Sequence, residues 1–209
     1  MRNDSRDLFR RAAAVTAATI NGVGHDQLEL PTPCTELDVR ALLAHLVGVA
    51  DRTAAIGRGE NAMTVSGTRA VSGDDWASAF AGAVSDFEAA WNDEDAMTRT
   101  VVLPWATGPG GEILLGYVNE LVVHTWDLGQ ATGQRPTWDD DVVDGAWRAI
   151  AGSLPAEGRT AMFEAIQAQM AKSGAPAGFG GAPFAEAVPA PESATPIERL
   201  IAYTGRNPF

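Results

Sequence analysis

One stretch of the sequence sets three ionisable side chains in an almost entirely apolar background. Glu120, His124 and Asp127 are surrounded by leucine, valine, isoleucine and aromatic residues. At about 100° per residue in a helix, the three side chains fall within a sector of roughly 60°. Glu120 and His124 project from successive turns of one face, the arrangement with which helices chelate a divalent ion. Because a buried carboxylate is costly unless it is paired or bound to a metal, this cluster predicts a further partner.

A metal site here needs a third ligand, and the sequence offers three histidines. His25 lies in a polar turn between predicted helices, whereas His45 lies in the middle of the second predicted helix. Three protein ligands with one position open for water or substrate are typical of catalytic zinc, while structural zinc usually takes four ligands, often cysteines. The single cysteine, Cys34, argues against a structural site. We therefore predict His45, Glu120 and His124 as metal ligands.

Each of these residues also has a purely structural interpretation. Glu120 and His124 are equally compatible with a hydrogen-bonded pair in a helix interface. His45 taken alone is compatible with a hydrogen-bonded histidine of the core. Asp127 is predicted to orient a ligand, or to pair near the helix end, rather than to bind a metal directly. Cys34 could be a nucleophile or a soft ligand, but a lone cysteine beside a helix start is interpreted as a small packing residue.

Two further side chains are predicted near the cluster. Trp126 lies beside the polar sector of its helix, where it belongs to the core or lines a pocket. Arg52 and Arg40 flank the face of the second predicted helix that carries His45. Guanidinium groups there could orient an anionic substrate, or they could simply keep the helix soluble.

Apolar periodicity predicts the helices that position these residues. The first four are predicted at residues 4–22, 36–57, 74–92 and 111–131, and two more near residues 139–153 and 157–171. Thr35 and Asp38 have the spacing of a capping box at the start of the second helix, and Gly133 suits the end of the fourth. One short strand is predicted between residues 98 and 105. The predicted fold class is all-α, a four-helix bundle with extra C-terminal helices.

The chain is predicted to divide after these helices. The bundle is assigned to residues 1–172, and a tail rich in glycine, alanine and proline to residues 173–209. Thr195 and Glu198 have capping-box spacing, and Pro196 suits the first position of a helix. A short terminal helix is therefore expected, and the tail is predicted to dock back on the bundle.

Composition excludes several classes of function. Acidic residues outnumber basic ones by 27 to 15, and the formal charge of −12 repels nucleic acid and anionic lipid. No apolar stretch approaches the roughly 20 residues that a membrane helix needs, and no signal peptide is recognised. No phosphate-binding glycine motif occurs. A cytoplasmic protein without nucleic-acid or membrane partners is expected.

Several motifs resemble those of the DinB-like superfamily, specifically the mycothiol-dependent maleylpyruvate isomerase N-terminal family. The resemblance is carried by LPTPC (residues 30–34), DVRALLAHLVG (38–48), ELVVHTWDL (120–128), ATG (131–133) and RLIAYTGR (199–206). It implies a helical bundle in which His45, Glu120 and His124 hold zinc or nickel. It also implies that a low-molecular-weight thiol such as mycothiol binds the metal as thiolate and attacks an electrophile. A homodimer is a further expectation from the superfamily.

The resulting hypothesis is a metal- and thiol-dependent S-transferase or isomerase-like enzyme. The maleylpyruvate isomerase has a further C-terminal domain, whereas a short tail follows the bundle here, so transferase activity is expected rather than isomerisation of maleylpyruvate. Two alternatives stay open. A metal-dependent hydrolase would activate water and work without thiol. A non-catalytic metal- or ligand-binding module would bind without turnover.

Overall fold

The computed structural model describes residues 4–172 and 184–209, so the predictions for residues 173–183 lie outside the described residues. The helices are α1 Ser5–Asn21, α2 Val39–Gly57, α3 Trp76–Ala90, α4 Asp95–Thr98, α5 Gly110–Thr132, α6 Asp140–Ala151, α7 Arg159–Lys172 and α8 Pro196–Tyr203. Two short strands, β1 Thr100–Leu103 and β2 Ala106–Pro109, form an antiparallel hairpin. None of the described helices is both long and apolar enough to span a membrane.

Four of the helices form a bundle. Helix α1 packs on α3 and α5, and α2 packs on the same two helices, so the four enclose a common core. The largest side chains in this core are fully buried: Leu8, Phe9, Leu42, Leu43, Leu46, Phe80, Phe87, Trp91, Leu114, Leu121 and Leu128. Between α1 and α5 the buried hydroxyls of Thr16 and Thr125 share a hydrogen bond of 2.8 Å. The predicted all-α four-helix bundle is confirmed.

The chain forms two compact units, Met1–Ala149 and Ile150–Phe209. The first contains the bundle. In the second, the Thr195 side chain caps α8 reciprocally with Glu198, as predicted. Within this unit Tyr203 donates a hydrogen bond of 2.6 Å to the carbonyl of Leu154. The domain boundary at residue 172 stays a prediction.

The start of α2 differs from the prediction. Helix α2 begins at Val39, and its N-cap is Asp38, whose carboxylate accepts a hydrogen bond from the Ala41 amide at 2.8 Å. The predicted start at residue 36, with Thr35 as the cap, is therefore wrong. The preceding residues form a turn instead, because the Thr32 hydroxyl donates to the carbonyl of Leu37 at 2.7 Å and Pro31 bridges to Asp38.

The region between α3 and α5 contains more structure than its sequence pattern indicates. The predicted strand is present as β1, but its partner β2 and the single turn α4 were not predicted. The β2 segment has no apolar alternation, and it becomes a strand because β1 supplies backbone partners, such as Val101 opposite Gly108. Helix α5 ends at Thr132, and Gly133 follows as its C-cap. The left-handed φ of 73° at Gly133 confirms the predicted cap.

Candidate metal centre

Helices α2 and α5 bring the three predicted ligands together. His45 Nε2 lies 3.3 Å from Glu120 Oε2, and His124 Nε2 lies 3.4 Å from the same oxygen. One donor atom from each of the three residues falls within 4.8 Å of the others, a grouping that could hold a metal ion. The Glu120 carboxylate thus stands between two imidazoles that approach it from different helices.

The opposite edge of each imidazole is also engaged. His45 Nδ1 lies 3.0 Å from the carbonyl oxygen of Gly67, and His124 Nδ1 lies 3.0 Å from Asp127 Oδ2. A carbonyl oxygen only accepts, so His45 Nδ1 must carry the proton that it donates to Gly67. Carbonyl and carboxylate partners of this kind fix the orientation of metal-binding histidines in many proteins. His45 Nε2 therefore faces the point where the ligands converge.

The two rings stand almost perpendicular, at 85°, with their centroids 4.8 Å apart. The side chains are partly open to solvent: 22% of His45, 31% of Glu120 and 13% of His124 is exposed. Asp127 is fully buried behind them. The site therefore combines a buried carboxylate, Asp127, with a solvent-exposed face that a small molecule can reach.

Burial and hydrogen bonding oppose each other in the electrostatics of the cluster. Burial raises the pKa of Glu120, but hydrogen bonds with His124 and His45 outweigh it and hold that pKa well below its usual range. Burial lowers the pKa of His124, yet hydrogen bonds with Asp127 and Glu120 raise it to about 9. The cluster thus keeps Glu120 as an anion that attracts positive charge between the two imidazoles.

A segment that the sequence shows as a polar loop supports His45 from outside the bundle. Residues 65–69 lie directly on α2, with the Arg69 amide donating to the Ala44 carbonyl at 2.9 Å. Arg52 Nε donates to the Val65 carbonyl at 3.1 Å. Gly48 makes this approach possible, because a Cβ there would lie 2.5 Å from the Gly67 oxygen. The support from Gly67 has no signature in the sequence.

Tyr117 is a further polar group that the sequence analysis missed. It lies one turn before Glu120 on α5, and its buried hydroxyl has no hydrogen-bond partner in the part of the chain that the structure describes. Burial raises the pKa of Tyr117 to about 12, with Arg52 opposing the shift and Glu120 adding to it. The i, i+3 spacing of an aromatic hydroxyl and a carboxylate on a buried helix was the available signal.

Arg52, Arg40 and Trp126, the other residues predicted near the site, do not contact the three ligands through hydrogen bonds or ring contacts of the described residues, and each lies in a different environment. Arg52 is half-buried beside the 65–69 segment. Arg40 instead forms an ion pair with Asp74. Trp126 is half-buried on α5, and among the described residues no hydrogen bond or ring contact joins it to the three ligands.

Cys34 lies closer to the site than its interpretation as a packing residue suggests. One donor atom each from Cys34, His124 and Asp127 falls within 4.8 Å, which makes a second grouping of metal-ligand type. Cys34 precedes α2 by several residues, so periodicity along a helix could not place it.

Comparison with known proteins identifies a family that this chain matches. Residues 9–129 match the family model of the mycothiol maleylpyruvate isomerase N-terminal domain. The chain belongs to this family. The resemblance inferred from the sequence motifs is therefore confirmed, and the match includes His45, Glu120, His124 and Asp127.

Relatives and solved structures extend the comparison. Two uncharacterised proteins from two strains of Mycobacterium tuberculosis are 27% identical over 199 residues, which covers 95% of this chain and 95% of theirs. Crystal structures of the mycothiol-dependent maleylpyruvate isomerase and of its histidine-to-alanine mutant are similar, with TM-scores of 0.54 and 0.56. Each is 16% identical, over 76% of this chain and 70% of that chain. This likeness shows a shared fold.

Proposed function

We propose that this family member is a divalent-metal enzyme that transfers a low-molecular-weight thiol, such as mycothiol, to an electrophile. The observation that carries the proposal is the convergence of two imidazoles and one carboxylate, His45, Glu120 and His124, on one partly exposed point. The name of the family, which refers to mycothiol, supports the choice of thiol.

The donor set fits zinc or nickel. Imidazole nitrogens and a carboxylate oxygen suit such borderline cations, and three protein ligands leave a position for an exchangeable ligand. The exposure of Glu120 and His45 leaves room for that ligand to enter. Bound there, the metal would lower the pKa of a coordinated thiol and so provide a thiolate nucleophile at neutral pH.

The protein's own residues have distinct roles in this proposal. Asp127 holds His124, and the Gly67 carbonyl holds His45, so both rings keep Nε2 aimed at the same point. The half-buried Arg52 guanidinium provides hydrogen-bond donors for an anionic part of the substrate.

The test combines metal content with thiol consumption. Wild type reconstituted with zinc is compared with His45→Ala, Glu120→Gln and His124→Ala, using a thiol and chlorodinitrobenzene as electrophile. We expect about one zinc per chain in wild type, and zinc affinity reduced by at least about 10-fold in each variant. Sulfur should replace chloride on the ring, with chloride and the thiol proton released, only when metal and thiol are both present.

The control variant is His25→Ala, because His25 is a largely exposed histidine outside the cluster. It should keep both zinc and activity. Wild type that stays empty after reconstitution would contradict the proposal and favour a polar structural cluster. Turnover without thiol would favour metal-assisted hydrolysis. Zinc binding without turnover on any electrophile panel would favour a non-catalytic binding module.

A further inference from the structure

His124 has different neighbours at its two ring nitrogens. On one edge, Nε2 faces Glu120 and completes the set with His45. On the other edge, Nδ1 lies 3.0 Å from Asp127 Oδ2. Cys34 belongs to the group that contains Asp127 and not to the group that contains His45. His124 is thus shared by a donor set of nitrogen and oxygen atoms and by one that includes sulfur.

The backbone holds Cys34 firmly in its place beside His124. The Leu37 amide donates to the Cys34 carbonyl at 2.8 Å, and the Thr32 hydroxyl, whose single proton is shared with the Leu37 carbonyl, lies 3.0 Å from the same oxygen. The bridge between Pro31 and Asp38 closes the turn around it. The backbone at Cys34 therefore loses little conformational freedom when the side chain binds a cation.

We propose that Cys34, His124 and Asp127 form a second cation site, which takes a thiophilic metal such as cadmium through sulfur, Nδ1 and carboxylate oxygen. Thiolate is a soft donor and selects soft cations, whereas the set formed by His45, Glu120 and His124 lacks sulfur. Asp127 is fully buried, and its Oδ2 lies 3.0 Å from His124 Nδ1, so two of the three donors are already in contact.

The two sites compete for one imidazole. A neutral imidazole has a single nitrogen lone pair, so a cation on Nδ1 leaves the ring proton on Nε2. That proton is then donated to Glu120, whose carboxylate lies 3.4 Å from Nε2. The first set loses a ligand whenever the second is filled, so a thiophilic cation displaces the metal held by His45 and Glu120. The second site does not depend on the proposed reaction.

Cadmium titration of the reduced full-length chain tests this site, read by the ultraviolet sulfur-to-cadmium charge-transfer absorption. Wild type should develop the band and saturate at one cadmium per chain. His45→Ala and Glu120→Gln should keep the band with affinity within about threefold, because they remove ligands of the other set alone. His124→Ala and Asp127→Asn should weaken cadmium binding by about 10-fold to 100-fold.

Two further measurements use the wild type alone, so a substitution that impairs folding cannot affect them. Cadmium-113 NMR of the wild type reports the donor set without any substitution, and sulfur bonding should shift the resonance away from that of purely nitrogen and oxygen ligands. Zinc-loaded wild type should release one zinc for each cadmium bound. A wild type without the sulfur band would overturn the second site, and so would a band that His124→Ala leaves unchanged. Simultaneous retention of both metals would overturn the competition.

Discussion

Replacement of Gly48 by alanine tests whether the segment of residues 65–69 positions His45. A Cβ at Gly48 would lie 2.5 Å from the Gly67 oxygen, 2.6 Å from the Gly67 carbonyl carbon and 2.8 Å from the Thr68 amide nitrogen. These are backbone atoms, so a rotamer change cannot relieve the overlap. The segment must move away from α2 by about 0.9 Å to reach an ordinary contact of 3.4 Å.

This movement breaks contacts that the segment makes with α2. The distance from His45 Nδ1 to the Gly67 oxygen would grow from 3.0 Å to about 3.9 Å, beyond hydrogen-bond range. The bond between the Arg69 amide and the Ala44 carbonyl weakens with it. Each such bond contributes about 1 kcal/mol, and alanine in a helix gains about 0.5–1 kcal/mol over glycine. We expect a net loss of about 1–1.5 kcal/mol from these contributions, to which any steric strain that the movement does not relieve is added.

Two glycines elsewhere in the bundle provide matched controls. Gly82 in α3 and Gly116 in α5 are exposed, and a Cβ at either position meets nothing within 4 Å. Alanine there should stabilise the protein by about 0.5–1 kcal/mol through helix propensity. The free energy of unfolding, measured in urea, and the zinc dissociation constant are compared across the three variants.

The expected pattern separates Gly48→Ala from its controls. Gly48→Ala should lower the free energy of unfolding. It should also weaken zinc binding by about 10-fold to 100-fold, because His45 loses the carbonyl that orients it. Both controls should leave zinc binding unchanged. If Gly48→Ala stabilises the protein as the controls do, the proposed role of the segment is refuted.

Three other predictions concern the stability of the fold. Trp91→Phe should cost about 1–3 kcal/mol in urea unfolding, because the buried indole Nε1 donates to the Thr53 carbonyl at 2.8 Å; an unchanged midpoint would contradict this. Thr195→Ala should cost about 1 kcal/mol of α8 stability through loss of the N-cap, measurable as faster amide exchange in α8 and not in α5. The Arg6 hydrogen bond lowers the pKa of Asp4, so its stabilisation should be present above a pH of about 4 and vanish as the pH falls through the lowered pKa. Asp4→Asn should therefore reduce the thermal midpoint near neutral pH more than in acid.

Local pattern was enough to predict most of the helical framework. Gly133 and the Thr195 capping box mark helix ends because caps depend on a few neighbouring residues. The placement of Glu120, His124 and Asp127 on one face is likewise a local property, because the geometry of a single helix fixes it. The predicted start of α2 was wrong because Thr35 and Asp38 are both favourable N-cap residues. The choice between them depends on the turn at Pro31.

The sequence by itself therefore determined the bundle helices and the polar face of α5, because both follow from spacing along one chain segment. The tertiary structure alone decided that His45 meets Glu120, that the Gly67 carbonyl holds His45, and that Cys34 lies beside His124. Each of these contacts joins residues far apart in sequence. Their distances depend on how α2 packs on α5 and on how the flanking turns fold over both helices, and neither is encoded in the periodicity of a single element.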